Sequence, residues 1–212
     1  MSDTFYFGDY WPQPTIFTSI RQDGINFDGT TFSSVFSVDP NDTTTIRQDD
    51  YVDGEWRDRW ILKYGPDGVL EIADEYKADF YQFWTNRRVV AFAHGKEIKW
   101  GGDQKLGDVI DADATIDWLR STFFTAPSRG RQRVEFFDQF NRFTVADGSA
   151  QYNDVIEVIY DQTWNGKTAG ARMWFARGIG IIQLSWRHEG QDTDMIKSPM
   201  VFKFSAVEPV IK

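Results

Sequence analysis

The chain contains no cysteine and only two histidines among its 212 residues. Disulfide staples, thiol catalysis and thiolate metal sites are thereby excluded. No run approaches the ~20 apolar residues that span a bilayer as a helix. Basic residues are also in deficit, 23 Lys and Arg against 32 Asp and Glu, for a formal charge of −9. Nucleic acid and acidic membrane surfaces are not expected partners, because the phosphate backbone is held by clustered Lys and Arg. The opening Met-Ser-Asp-Thr-Phe-Tyr-Phe-Gly-Asp-Tyr has neither a basic n-region nor an apolar h-region, so a chain made for the cytoplasm, or exported by some other route, is expected.

Aromatic residues are abundant, at 17% with 9 Trp, 8 Tyr and 18 Phe. Large rigid rings suit sheet faces and interfaces. A chain of this length buries roughly 70% of its unfolded surface, so a core needs no metal or cofactor to hold it, and none is expected.

Short alternating runs bounded by turn residues predict a mainly β fold. The expected architecture is an antiparallel meander, a half-barrel or a sandwich, with one or two short helices. Residues 1–212 form one expected domain, with an irregular β region over 1–55 packed on it. Strands are expected at Thr15–Ile20, Thr31–Val38, Trp56–Tyr64 and Val69–Ala73, the last two joined by Gly65-Pro66-Asp67-Gly68. A second hairpin is expected from Arg88–Ala93 and Glu97–Trp100. Ile116, Leu119 and Phe123 fall at helical spacing, with Pro127 just beyond, and predict a helix over Thr115–Thr125. Further strands are expected at Arg133–Asp138, Arg142–Val145, Val155–Gln162, Ala171–Ala176, Gly180–Arg187 and Met200–Val207. Asn165-Gly166 and Arg177-Gly178 supply turns. Short links imply antiparallel neighbours.

Chemistry-bearing motifs are sparse. No Gly-x-Ser-x-Gly elbow, His-Glu-x-x-His pair or Walker loop occurs. His94 and His188, near Glu97 and Glu189, stand at expected strand ends, where an exposed turn residue is the simpler reading. Asp49, Asp50, Asp53, Glu55 and Asp58 could hold Ca²⁺ or act as a glycosidase pair beside Trp56 and Trp60. Arg47, Arg57 and Arg59 interleave with them, which favours a solvated, self-compensating loop. Asp39 to Asp50 fails the calcium-loop pattern, since Thr44 stands where Gly is required. Arg177-Gly178-Ile179-Gly180 is followed by an expected strand, so a tight turn rather than a phosphate cradle is expected. Arg129, Arg131 and Arg133 could meet an acidic partner, and a surface loop with local ion pairs is the favoured reading. No catalytic residue and no metal ligand is expected.

Residues Asn153–Val158 followed by Met173-Trp174-Phe175-Ala176-Arg177-Gly178-Ile179-Gly180-Ile181-Ile182 resemble a strand pair of β-rich bacterial envelope, lipoprotein-like proteins. The shared pattern is two aromatics, Ala, a basic residue, Gly, an aliphatic and Gly. It concerns folding and carries no catalytic residues, and the lipobox cysteine is missing. The overall character, acidic, aromatic-rich, β and leaderless, resembles bacteriophage particle components of the tail or baseplate. That resemblance implies a non-enzymatic virion structural protein, made in the host cytoplasm, whose partners are other virion proteins or copies of itself.

Phe5, Tyr6, Phe7, Tyr10 and Trp11 precede Pro12 and Pro14 and are expected, with Trp174, to form an interface. An extended arm across a neighbour and docking onto the chain's own sheet are both consistent with the pattern. The alternative function is carbohydrate binding or cleavage on Trp56, Trp60, Trp84 or Trp100 with nearby acids. The strands from Val155 to Arg187 are expected to be the slowest to open in hydrogen exchange. Amides of Ala171–Ala176 that exchange as fast as those before Tyr51 would overturn this assignment.

Overall fold

The structure, a computed structural model, describes residues 4–12, 17–25, 29–65, 68–76, 89–93, 98–101, 103–121, 124–164, 167–187 and 200–209. Strands dominate, all pairings are antiparallel, and the only helical element among the described residues is a 3-10 turn at Phe7–Tyr10. The antiparallel meander expected from the sequence is what the chain builds.

The strands are β1 (Phe5–Tyr6), β2 (Phe17–Ile25), β3 (Thr31–Asp39), β4 (Asp42–Val52), β5 (Glu55–Gly65), β6 (Gly68–Tyr76), β7 (Val89–Ala93), β8 (Ile98–Gly101), β9 (Asp103–Gln104), β10 (Val109–Ser121), β11 (Phe124–Thr144), β12 (Gln151–Trp164), β13 (Lys167–Ala176), β14 (Gly180–Arg187) and β15 (Met200–Pro209). Thirteen of them form one sheet in which most neighbours in sequence pair with one another, while β8 pairs with β6 and β10 with β7. The last strand, β15, returns to pair with β2 over Val201↔Ile25 to Pro209↔Phe17. Since β5 pairs β6, β6 pairs β7 and β7 pairs β10, the pairings run in a circuit. Strands β2, β3 and β4 therefore belong to the same sheet as the rest.

Two segments depart from the expected elements. The expected helix over Thr115–Thr125 is instead the end of β10 and the start of β11, paired from Ile116↔Ser128 to Ser121↔Phe124. Ile110, Ala112, Ala114, Ile116 and Trp118 alternate with Asp111, Asp113, Thr115 and Asp117. That period of two outweighs three residues at helical spacing. The expected hairpin of Arg88–Ala93 with Glu97–Trp100 is not one either. Both β7 and β8 pair along the same edge of β6, Tyr76↔Val89 and Asp74↔Ala91, then Glu71↔Ile98 and Val69↔Gly101. The expected strands Arg133–Asp138 and Arg142–Val145 are one strand, β11, with a bulge between Phe136 and Asp138. The Asn165-Gly166 turn lies outside the described residues, although Trp164 and Lys167 on either side are partners.

The main core lies on one face of the circuit and draws on strands all round it, including Ile20, Phe36, Ile46, Leu62, Val134, Phe136, Val158, Met173, Phe175, Leu184 and Phe202. The opening segment completes it. Phe7, Tyr10 and Trp11 are among the largest fully buried side chains. The Phe7 ring meets Phe136 at 5.0 Å and Phe175 at 5.2 Å, Trp11 meets Phe175 at 5.1 Å, and Phe5 meets Phe136 at 5.6 Å. Backbone pairing of Phe5 with Gln104 and a hydrogen bond from the Tyr6 hydroxyl to the Gly65 carbonyl hold the segment's start. The Tyr64 hydroxyl donates to the Pro12 carbonyl and holds its end.

A second, smaller core of Val145, Val155, Ala176, Ile182 and Val201 packs with Phe140, Phe143, Tyr152 and Trp174. The β11–β12 turn is tied across it by a hydrogen bond from the Ala146 amide to Gln183 Oε1. Two cores explain why Val155, Ile156, Glu157 and Val158 are buried consecutively: a strand covered on both faces loses its polar alternation.

Burying each opening aromatic contributes about 1.5–3 kcal/mol, so the four together match a large share of the roughly 5–15 kcal/mol that keeps a domain folded. Removing residues 1–14 is expected to lower the melting midpoint of the isolated chain by roughly ten degrees or more. Calorimetry showing an unchanged midpoint would mean that these rings stabilise nothing within the chain.

Candidate functional site

Three clusters of polar and aromatic side chains are built by the sheet. The first joins the opening segment to the β11–β14 strands. Asp154, whose backbone is left-handed at φ 52°, presents a carboxylate that accepts from the Tyr10 hydroxyl at 2.7 Å and from Gln139 Nε2 at 3.0 Å, and pairs with Arg177. Arg177 also reaches Asp9 at 2.5 Å and lies over the Tyr10 ring, 4.8 Å from its centroid. The Gly178 amide donates to the Asp9 carbonyl at 2.6 Å. Gly178 and Gly180 take positive φ, 72° and 99°, as a tight turn between β13 and β14 demands. This is the turn expected from the glycines. Residues 9, 10, 139, 154 and 177 carry no local signature, since only the tertiary fold brings them together.

Electrostatics tighten this latch. Burial, then the hydrogen bond to Asp154 and its charge, push the Tyr10 phenol up to about 12. Burial raises the Asp154 carboxyl, but donation from Arg177, Tyr10 and Gln139 outweighs it and holds the group below its usual value.

The second cluster lies on the outward side of β11–β14. Glu157 is 3% exposed; it pairs with Arg172 and accepts from the Trp174 indole N–H at 3.1 Å. Burial raises its carboxyl, and Arg172 and Trp174 only partly offset that. The Arg172 guanidinium sits over both Phe137, at 5.2 Å, and Trp174, at 5.7 Å. Phe143 stacks with Trp174 at 6.0 Å and 24°. Beside it the backbone brings three exposed apolar residues together. Val109 pairs with Glu135, the Gly107 amide donates to the Phe136 carbonyl and the Phe136 amide donates to the Asp108 carbonyl. Leu106, Val109 and Phe137 are thereby gathered at 47%, 44% and 48% exposure.

The third cluster is the acidic stretch, expected as a solvated loop. It is strand β4 and the start of β5; Asp53 and Glu55 are exposed, whereas Asp49 and Asp50 are buried on opposite sides of the same strand. Asp49 accepts from Arg47 at 2.6 Å, Arg59 at 2.7 Å and the Trp56 indole at 2.9 Å. Burial raises its carboxyl and these donors outweigh it, leaving the group below its ordinary value. The expected compensation by arginine is thus present, in a buried setting. Asp50 accepts from Ser34 Oγ at 2.6 Å and from Gln48 Nε2 at 3.1 Å. Asp53 forms the β4–β5 turn at φ 51° and accepts from the Thr31 amide.

The remaining expected residues are scattered. Phe5, Phe7, Tyr10 and Trp11, expected as an interface arm, lie in the chain's own core, and Tyr6 is half-buried beside them. The second of the two expectations, docking onto the chain's own sheet, describes where they sit. Trp174 anchors the smaller core. Arg131 pairs with Asp111, and Arg133 with Glu135 at 2.6 Å, along a strand rather than a loop. His94, His188 and Trp84 lie outside the described residues. Among the described residues no group of three His, Cys, Asp or Glu is placed to hold a metal ion, and no helix is long and apolar enough to cross a membrane.

No family model matches the chain, and no curated protein matches it. Among solved structures it is similar to a crystal structure described as a "putative lipoprotein" from Parabacteroides distasonis ATCC 8503. The two are 9% identical, with 95% of this chain and 99% of that chain covered at a TM-score of 0.42. The expectations of a phage tail or baseplate component and of a virion location are corrected by this comparison, which finds a bacterial protein and no particle protein. An acidic, aromatic-rich, disulfide-free β composition is shared by proteins of many kinds and specifies no assembly.

The latch has a definite pH window. The folded Asp154 carboxyl lies below its unfolded value, so its contribution is full above about pH 4 and is lost as pH falls through the folded value. The Tyr10 phenol is raised, so its contribution is full below about pH 10 and is lost as pH rises toward 12. Asp154→Asn is expected to flatten the acid limb of stability below about pH 4. Equal acid sensitivity of variant and wild type in urea melts would show that this carboxylate does not hold the opening segment.

Proposed function

We propose that the protein acts without catalysis, as an assembly component that binds a second copy of itself through the outward surface around Phe137. The observation that carries this reading is the gathering of Leu106, Val109 and Phe137, each more than two-fifths exposed, at one place on a strand pair. Exposed apolar residues scattered singly are ordinary, whereas a contiguous group rimmed by charge marks a contact surface. The rim carries both signs, with Arg133 beside Glu135 and Arg131 beside Asp111. A two-fold interface must be self-complementary, and a rim of mixed sign meets that condition.

The buried carboxylates support a non-catalytic reading. Asp49, Asp154 and Glu157 are each saturated by Arg and by a Trp or Tyr donor. A general acid or base needs a reactant within reach of its proton, and these groups are turned to structural partners. The carbohydrate alternative is weakened by the same packing. Trp174 has Phe143 and Arg172 against its ring, and Trp56 has Arg59 over its own. A sugar platform needs an open ring face.

The wild-type chain is expected to show concentration-dependent dimerisation in sedimentation equilibrium. A Val109→Glu, Phe137→Glu double variant is expected to stay monomeric at an unchanged melting midpoint. A wild-type chain that is monomeric across the same range would refute the proposal.

A further inference from the structure

We propose that Asp111 on β10 and Arg133 on β11 select the partner copy, each meeting the other's counterpart across a two-fold axis that runs parallel to the two strands and between them. The inference rests on the outward contact around Phe137, and it assigns that contact its geometry and its specificity.

The β10–β11 register sorts the outward face into rows. Gln132, Val134 and Phe136 are buried, so alternation turns Arg131, Arg133 and Glu135 outward. The residues opposite them on β10 share that face, Val109 beside Glu135 and Asp111 beside Arg133. Phe137 follows at the bulge that ends this run. Leu106 is brought to the same end by the bonds that tie Gly107 and Asp108 to Phe136. Along the pair, an apolar end at Leu106, Val109 and Phe137 thus gives way to a charged row in which the acid stands on β10 and the base on β11.

That arrangement selects the axis. A half-turn about a line parallel to the strands and midway between them keeps every row at its own height and exchanges the two columns. β10 of one copy then lies over β11 of the other. Apolar ends meet apolar ends, and Asp111 meets Arg133 of the partner subunit on both sides of the axis, as an isologous contact requires. A half-turn about a line across the strands would instead reverse the order of rows, and matching the apolar ends would carry the two charges away from each other.

Both side chains have capacity for such a meeting. Asp111 accepts from Arg131 Nε and Nη2, and Arg133 pairs with Glu135 at 2.6 Å. The side chains of Asp111 and Arg133 are 31% and 39% exposed. A carboxylate accepts up to about four hydrogen bonds and a guanidinium donates about five, so the intrachain partners do not use up either group. Charges at the margin of an apolar contact decide which surfaces can meet, more than how tightly they hold.

Asp111→Arg and Arg133→Asp are to be made in separate full-length chains and followed by sedimentation equilibrium, each alone and in equal mixture, with circular dichroism to check the native fold. Alone, each variant sets like charges opposite each other across the axis. Mixed, the two changes restore opposite charges at both meetings. Each variant alone is expected to self-associate at least about tenfold more weakly than wild type, and the mixture to recover wild-type affinity. Arg133→Gln removes one charge without adding repulsion between the strands, and is expected to weaken association about threefold. Self-association of either reversed variant at wild-type strength, a mixture no tighter than its components, or unaltered association of Arg133→Gln would each overturn the pairing and leave the contact around Phe137 standing. A wild-type chain that stays monomeric in the same runs would remove the contact itself, and the pairing with it.

Discussion

Insertion of the opening aromatics into the main core is the contact on which the rest of the structure depends. The circuit of strands carries apolar side chains on one face from every direction, and a chain that only paired its strands would leave that face short of partners. Phe7 and Trp11 fill it from within, against Phe136 on β11 and Phe175 on β13. The same segment is tied to β5 through Tyr6 and Tyr64 and to β9 through Phe5. A few residues thus bridge parts of the sheet that do not pair with one another, and this is why a stretch outside the meander counts for so much of the core.

The charged residues follow from that placement. An acidic chain with a large core must bury some carboxylates, and each costs desolvation unless it is supplied with donors. Asp49 and Asp154 have donors enough to end below their ordinary values, while Glu157, flanked by Arg172 and Trp174, does not. The difference is one of supply: Asp49 receives two guanidinium groups and an indole, whereas Glu157 receives one guanidinium and one indole. The arginines in turn stack on rings, Arg177 on Tyr10, Arg59 on Trp56 and Arg172 on Phe137. High aromatic and high arginine content on strands are thereby used together.

Local pattern carried most of the fold. β14 runs from Gly180 to Arg187 as alternation and the preceding glycine turn imply, and β3 and β5 lie within a residue of their expected bounds. What was not legible depended on partners far away in sequence. β10 was obscured because three residues at helical spacing coincided with a longer alternation. β7 and β8 resembled a hairpin because nothing nearby showed that both would pair with β6. The latch of Asp9, Tyr10, Gln139, Asp154 and Arg177 had no signature at all, and the outward patch had none beyond the apolar character of Leu106, Val109 and Phe137. The buried state of Asp49 and Asp50 was hidden by composition: an acidic run interleaved with arginine looks solvated whether its ion pairs face water or a neighbouring strand.

Sequence and packing disagree most at the inner face of β3 and β4. Elsewhere most core-facing positions hold an aliphatic or aromatic side chain, with Gln22 and Gln132 as buried polar exceptions. Ser34, Gln48 and Asp50 break that rule together, on adjacent strands and in contact with one another. The three share hydrogen bonds and leave Gln48 Oε1 without a donor, as Gln132, bonded to Tyr160 through its nitrogen, leaves its own Oε1. Sequences that specify a fold are consistent from level to level, and the exceptions concentrate where function competes with stability. The outward patch breaks the complementary rule, leaving apolar side chains exposed where charges would serve solubility.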